Sequence, residues 1–245
     1  MTAPFPTHKH EAWRYADLDA LKPVWEQFAE PLTLTVAAGE SLEEIWVPTS
    51  DDVQLRRVQL ALGEGAKARI FALNIAPVYG RIELEVSLAE GSDFALFGAN
   101  IGTGVSTNEF VTTIKHLAPA AKSRQTIRSV LGGKAVGSYL GKVEVARGAQ
   151  QTDGEQSIKA MLLDRGATAN CKPELEIYAD DVKCAHGASV GELDAMQIFY
   201  AESRGLDPAG ARALLLEGFV MGLWDDAREP DIIGDAARSA LRSVV

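Results

Sequence analysis

The sequence predicts a mainly β protein with a helical start and a helical end. Three observations carry this. From about Pro31 to Val190, short stretches alternate apolar and polar residues with period two, and glycine-containing turns separate them. Within that region one strand–turn unit repeats. After Gly191 the apolar spacing becomes helical. The expected division is 1–30 as an N-terminal helical segment, 31–191 as a β core and 192–245 as a C-terminal helical domain.

Taken in order, Trp13, Leu18, Leu21, Trp25 and Phe28 recur at roughly helical spacing, and Pro23 breaks the run. A short helix followed by a turn is expected, its apolar side chains simply packing. Alternating segments follow at Leu32–Val36, Val53–Leu62, Ala68–Leu73, Arg81–Leu88, Phe94–Phe97, Glu109–Leu117, Ser123–Leu131 and Gly137–Val145. Val58–Asn74 can be laid over Leu84–Asn100 at an offset of 26, matching Gly65 with Gly91, Phe71 with Phe97 and Asn74 with Asn100. The charged residue–Gly–Ala turn returns at Arg147-Gly148-Ala149 and Arg165-Gly166-Ala167. Gly after a strand suits a turn of positive φ. The repeat fits a β-solenoid, whose coils stack on one another. A β-sandwich with similar turns fits it as well.

Asp194 with Gln197 reads as an N-cap and its capping-box partner, opening a helix that Gly205 ends. Asp207-Pro208 opens a second helix, carrying Leu214, Leu215, Phe219, Val220, Leu223 and Trp224. A third, Asp231–Val244, carries Ile232, Ile233, Ala236, Ala237, Ala240, Leu241 and Val244 on one stripe. Together they are expected to cap the β core.

The composition, 47% hydrophobic and 24% charged over 245 residues, allows a substantial core. The net charge of −10 argues against a general nucleic-acid binder. Lys122, Arg124, Arg128 and Lys134 form a modest basic cluster that reads as a solvated face. No apolar run is long enough for a membrane span, and Met1–Pro6 lacks signal-peptide character. Two cysteines cannot build a disulfide framework, which points to a reduced, cytoplasmic setting, although the number alone leaves a Cys171–Cys184 bridge open.

The chemistry concentrates at Cys184 and His186. If Val182–His186 is extended, both face one side, about 7 Å apart along the backbone. They can converge on one metal ion or cluster but cannot complete its ligand set. The plainer reading is a core thiol beside a hydrogen-bonded imidazole. Asp180 and Asp181 read as a solvated strand end, His8 and His10 as an exposed terminal pair, and Cys171 as structural. His116 stands alone. Gly132-Gly133-Lys134-Ala135 lacks the full phosphate-loop pattern, and no G-x-S-x-G, H-E-x-x-H or C-x-x-C is present.

The stretch KPELEIYADDVKCAHGASVGELD, residues 172–194, resembles the signature of SufD in the SufB/SufD family of iron–sulfur cluster assembly scaffolds. HKHEAWRYADLDALK, 8–22, is similar to that family's N-terminal helix, and FYAESRGLDPAGARALLLEGF, 199–219, to its C-terminal helices. The chain is shorter than typical members, a difference expected in the N-terminal region and the solenoid. The resemblance implies a right-handed parallel β-helix. It also implies a non-enzymatic subunit that pairs with SufB and, through its C-terminal helices, with the ATPase SufC. Because bare solenoid edges tend to self-pair, a homodimer is expected when the chain is isolated. His186 and Cys184 would then form a transient half-site for iron or a nascent cluster, completed by the partner subunit, with no stably bound cofactor. The alternative is a stand-alone solenoid or cupin-like metalloprotein using His186, Cys184 and a distant donor.

Overall fold

The computed structural model describes residues 4–49 and 51–245. Among these, twelve strands wind into a two-sheet solenoid. The first sheet holds β1 (Leu32–Val36), β3 (Val53–Leu62), β5 (Tyr79–Leu88), β7 (Thr107–His116), β9 (Val136–Val145) and β11 (Thr168–Ile177). The second holds β2 (Ser41–Trp46), β4 (Lys67–Asn74), β6 (Asp93–Gly102), β8 (Lys122–Leu131), β10 (Thr152–Leu162) and β12 (Val182–Gly191). The chain changes sheet after every strand, so each strand pairs in parallel with the strand two before it. The sandwich alternative is excluded.

The sequence repeat is one coil of this stack. Val58 pairs with Leu84 and Asn74 with Asn100, the alignment read from the sequence. Gly65 and Gly91 occupy the same corner with φ of 64° and 63°, and the Gly65 N–H donates to the Glu90 carbonyl at 2.8 Å. The Arg-Gly-Ala turns are not equivalent to them. Ala120 and Gln151 take the corresponding left-handed position in later coils, with φ of 59° and 60°. Gly166 lies at the opposite corner, before β11. Register-matched positions on the first sheet fall at 53, 79, 107, 136 and 168, so the coil grows from 26 to 32 residues. Only the early coils could therefore show a constant offset.

The inward residues of both sheets form the main core, which includes Leu60, Leu84, Phe94, Phe110, Val143 and Ile158. On the outer face of the first sheet sits the N-terminal segment. It consists of a 3-10 turn, Glu11–Trp13, and two one-turn helices, α1 (Leu18–Leu21) and α2 (Trp25–Phe28), more fragmented than the expected single helix. Trp13 and Trp25 meet edge to face at 5.6 Å. The buried Arg81 guanidinium lies 3.7 Å from the Trp13 ring centre and donates to the Ala12 carbonyl and to Glu109. Arg57 donates to the Phe28 and Ala29 carbonyls. A buried guanidinium keeps its charge only with such partners. Here they fasten the segment to the sheet.

The expected C-terminal helical region is present as α3 (Ala195–Ser203), α4 (Pro208–Val220) and α5 (Pro230–Arg242). Asp194 and Asp207 cap α3 and α4 by accepting from the Met196 and Gly210 N–H groups. The helices cover the flank of the solenoid rather than its end. Leu216, Val220, Trp224, Ile233 and Leu241 pack on Phe71, Leu73, Ile101 and Val130, which point outward from the second sheet. The last rung, β11 and β12, carries no further strand. No described helix is long and apolar enough to cross a membrane.

Candidate functional site

The site begins with the register of the last coil. Cys184 pairs with Gly154 and His186 with Gln156. Gly154 and Gln156 are buried and alternate with exposed neighbours along β10, so they face inward. Cys184 and His186 therefore share the inward face, as the alternation predicts, and Lys183 and Ala185 face out. Cys184 packs against the main core. His186 is exposed, because no coil follows to cover it.

Cys171, assigned a structural role from sequence, pairs with the buried Tyr139 on the opposite sheet. It too packs against the main core, from the other wall of the last coil. Both cysteines are free thiols. Burial pushes each above the ordinary cysteine value. At neutral pH they are thiols rather than thiolates, and so poor ligands and nucleophiles while the chain is alone. Among the described residues no group of three or more His, Cys, Asp or Glu side chains is placed to hold a metal ion. The arrangement offers donors to something that completes it. It is not a finished centre, and nothing here favours the stand-alone metalloprotein.

Sequence reasoning missed what lies beneath His186. Gln156 Nε2 donates to Tyr139 Oη at 2.9 Å. The Tyr139 hydroxyl donates to Gln125 Oε1 at 3.1 Å, and Thr112 Oγ1 donates to the same oxygen at 2.6 Å. All four side chains are buried. Desolvation raises the Tyr139 phenol well above its usual value, so it stays protonated. Gln125, Gln156 and His186 stand in one column on three successive strands. The period-two pattern of Thr152, Gly154, Gln156, Ile158 and Ala160 was the available signal, but polar inward residues hid it.

The other candidates lie elsewhere. Asp180 and Asp181 are exposed in the turn between β11 and β12. His8 Nδ1 is 3.0 Å from the Trp13 carbonyl oxygen at the N-terminal segment. His116 is fully buried, its Nε2 2.9 Å from Ser123 Oγ. The turn at Gly132-Gly133 serves the chain's own carboxylate, since the Gly133 N–H donates to Asp164 at 2.6 Å. Lys122 and Arg124 share a cleft of about 350 Å³ with Asp93, Asp153 and Glu155, a mixed rather than basic surface.

Comparison with known proteins agrees with this geometry. Residues 42–219 match the family described as SUF system FeS cluster assembly, SufBD core domain. An iron–sulfur cluster assembly SufBD family protein of Synechocystis is 30% identical over 180 residues, 72% of this chain and 39% of the relative. The iron–sulfur cluster assembly protein SufD of Escherichia coli is 37% identical over 118 residues, 48% of this chain and 28% of the relative. SufD of Bacillus subtilis is 32% identical over 120 residues, 49% and 28% respectively. The chain thus spans well under two thirds of the length of these relatives. A family match running from β2 into α4, on a parallel two-sheet solenoid of this register, places the chain in the SufBD family of the SUF iron–sulfur cluster assembly system.

Proposed function

We propose that this chain is a non-catalytic scaffold subunit of a SUF-type assembly complex, supplying one half of a site at which an iron–sulfur cluster is built. The observation that carries the reading is the open last rung. Eight of the ten residues of β12 are exposed, His186 among them, and the outer edges of β11 and β12 have no strand beside them. Such edges accept another chain's strands. A SufB-type subunit added there would close the interior over Cys171, Cys184 and His186 and bring its own ligands. An iron–sulfur cluster usually needs more ligands than one wall of a coil provides. Iron or the nascent cluster is cargo at this junction, held in passage. Without a partner, two copies of the chain would pair through the same edges.

An ATPase of the SufC type is proposed to dock on the C-terminal helices. Met196, Phe199 and Tyr200 of α3 and Leu214 of α4 are 56–70% exposed and lie away from the solenoid. No phosphate loop exists in this chain, so nucleotide-driven work would have to come from a partner. Removing everything after Gly191 is a poor test, because it would strip the outer face of the second sheet. Point substitutions are cleaner.

The test is co-expression with SufB-type and SufC-type subunits, followed by iron and sulfide analysis of the purified complex. His186→Ala is expected to leave the complex intact and to lower iron and sulfide severalfold. Cys184→Ala should do less, its thiol being held against the core. Phe199→Asp should lose the ATPase but keep the other scaffold subunit. Wild-type iron and sulfide in the His186→Ala complex would remove His186 from the site. Full ATPase retention by Phe199→Asp would move the docking face elsewhere.

A further inference from the structure

The buried column beneath His186 ends in an amide that is only half used. Gln156 is 1% exposed, and its Nε2 is committed to Tyr139 Oη at 2.9 Å. Its Oε1 has no partner. An unpaired buried carbonyl is costly, of order 1–3 kcal/mol. Such groups are rare in folded proteins, and a functional role is one of the reasons they persist. The next residue in this column is His186, one strand spacing away, about 4.8 Å between backbones. The inward titratable side chains of the last two coils are Tyr139, Cys171, Cys184 and His186; Asp153, Glu155 and Lys183 face outward.

We propose that Gln156 is the positioning residue of His186: its free amide oxygen takes the imidazole N–H and so decides which ring nitrogen is left bare. This deepens the proposed function and rests on it for its purpose. A histidine that ligates a metal or accepts a proton does so through one nitrogen, and the hydrogen bond at the other fixes the tautomer and the ring's direction. The polarity of the column is set from below. Gln125 Oε1 receives both the Thr112 and Tyr139 hydroxyl protons. The Tyr139 oxygen is then free to receive from Gln156 Nε2, which turns Oε1 away from the phenol. Thr112 thereby biases the orientation of an amide in the next coil of the stack. The carbonyl is held in place before any partner closes the coil.

The experiment reads the tautomer directly, in the isolated full-length chain without iron. Histidine ring nitrogens are labelled with ¹⁵N, and the His186 signals are assigned by their loss in His186→Ala among the four histidines of the chain. The wild type is expected to show one dominant neutral tautomer for His186. Gln156→Leu should abolish that preference, bringing the ratio to that of the exposed His10, and Gln156→Glu, which keeps an acceptor, should retain it. Should Gln156→Leu fail to fold, Tyr139→Phe carries the test. It keeps the ring but frees the amide to turn, and the ratio should shift the same way. A His186 tautomer ratio unchanged in both Gln156→Leu and Tyr139→Phe, or without preference in the wild type, overturns the proposal. Neither result touches the iron and sulfide measurement. Failure of that measurement would in turn leave the tautomer result standing.

Discussion

At the scale of single residues, the interior of this solenoid treats its two inward histidines in opposite ways. His186 is uncovered at the open end, whereas His116 lies sealed within its coil, hydrogen-bonded to Ser123 seven residues on. Desolvation pulls the His116 imidazole down from 6.5 to about 4. The unfolded chain therefore takes up this proton first as the pH falls. The stability linked to neutral His116 is whole above about pH 6.5 and drains away towards pH 4, at most about 3 kcal/mol. Urea midpoints at pH 7 and pH 4.5 should show a loss that is smaller in His116→Gln. Equal losses in both proteins would mean that other groups govern the acid limb. The shared inward face of Cys184 and His186 was legible in the sequence, because period two alone dictates it. Gln156 and Cys171 were not legible as neighbours of the site, since their nearness depends on which strand stacks on which.

At the scale of elements, β1 and β3 fall on the residues that the alternation marks, and the other recognised strands start up to two residues earlier or run on further, except that β7 ends at His116, one residue short of its expected end. Four strands, β2, β10, β11 and β12, lie outside the eight alternating segments, and two of them show why. In β2, Glu44 lies between the inward Leu42 and Trp46 at the first rung, where it meets the Trp46 indole N–H instead of apolar core. In β10 the inward row contains Thr152, Gly154 and Gln156. Where an interior is polar, hydrophobic alternation fails although the strand is sound. The corner that joins the first sheet to the second has its own cost. Gly39, Gly65 and Gly91 adopt its positive φ freely, but Ala120 and Gln151 do so against the usual steric penalty of about 1–2 kcal/mol. Gln151→Gly should accordingly stabilise the protein by about 1 kcal/mol, and Gly65→Ala should destabilise it by a similar amount. A Cβ at Gly65 would meet nothing within 4 Å, so only backbone strain would act there. Denaturant midpoints check both. A neutral Gln151→Gly would show that the corner carries no strain to release.

On the scale of the whole molecule, the solenoid is clothed on its flanks by helices and left bare at its far end. The isolated chain is expected to form a two-fold dimer through β11 and β12, since closed two-fold contacts are the commonest solution for a self-complementary edge. Light scattering at micromolar concentration should give twice the 26.3 kDa of the chain. A monomer at that concentration would contradict self-pairing.

The two ends of the stack differ in length, and that difference bears on fibre formation. At one end the outermost strands are five and six residues long; at the other they are ten and ten. A parallel solenoid with matched ends could add copies head to tail without limit, and such non-closing contacts produce filaments. Here the short end would cover barely half of the long end's ladder and leave the remaining backbone groups unpaired. Like ends meet better than unlike ones. Growth would then stop after a single union instead of running on as a polymer.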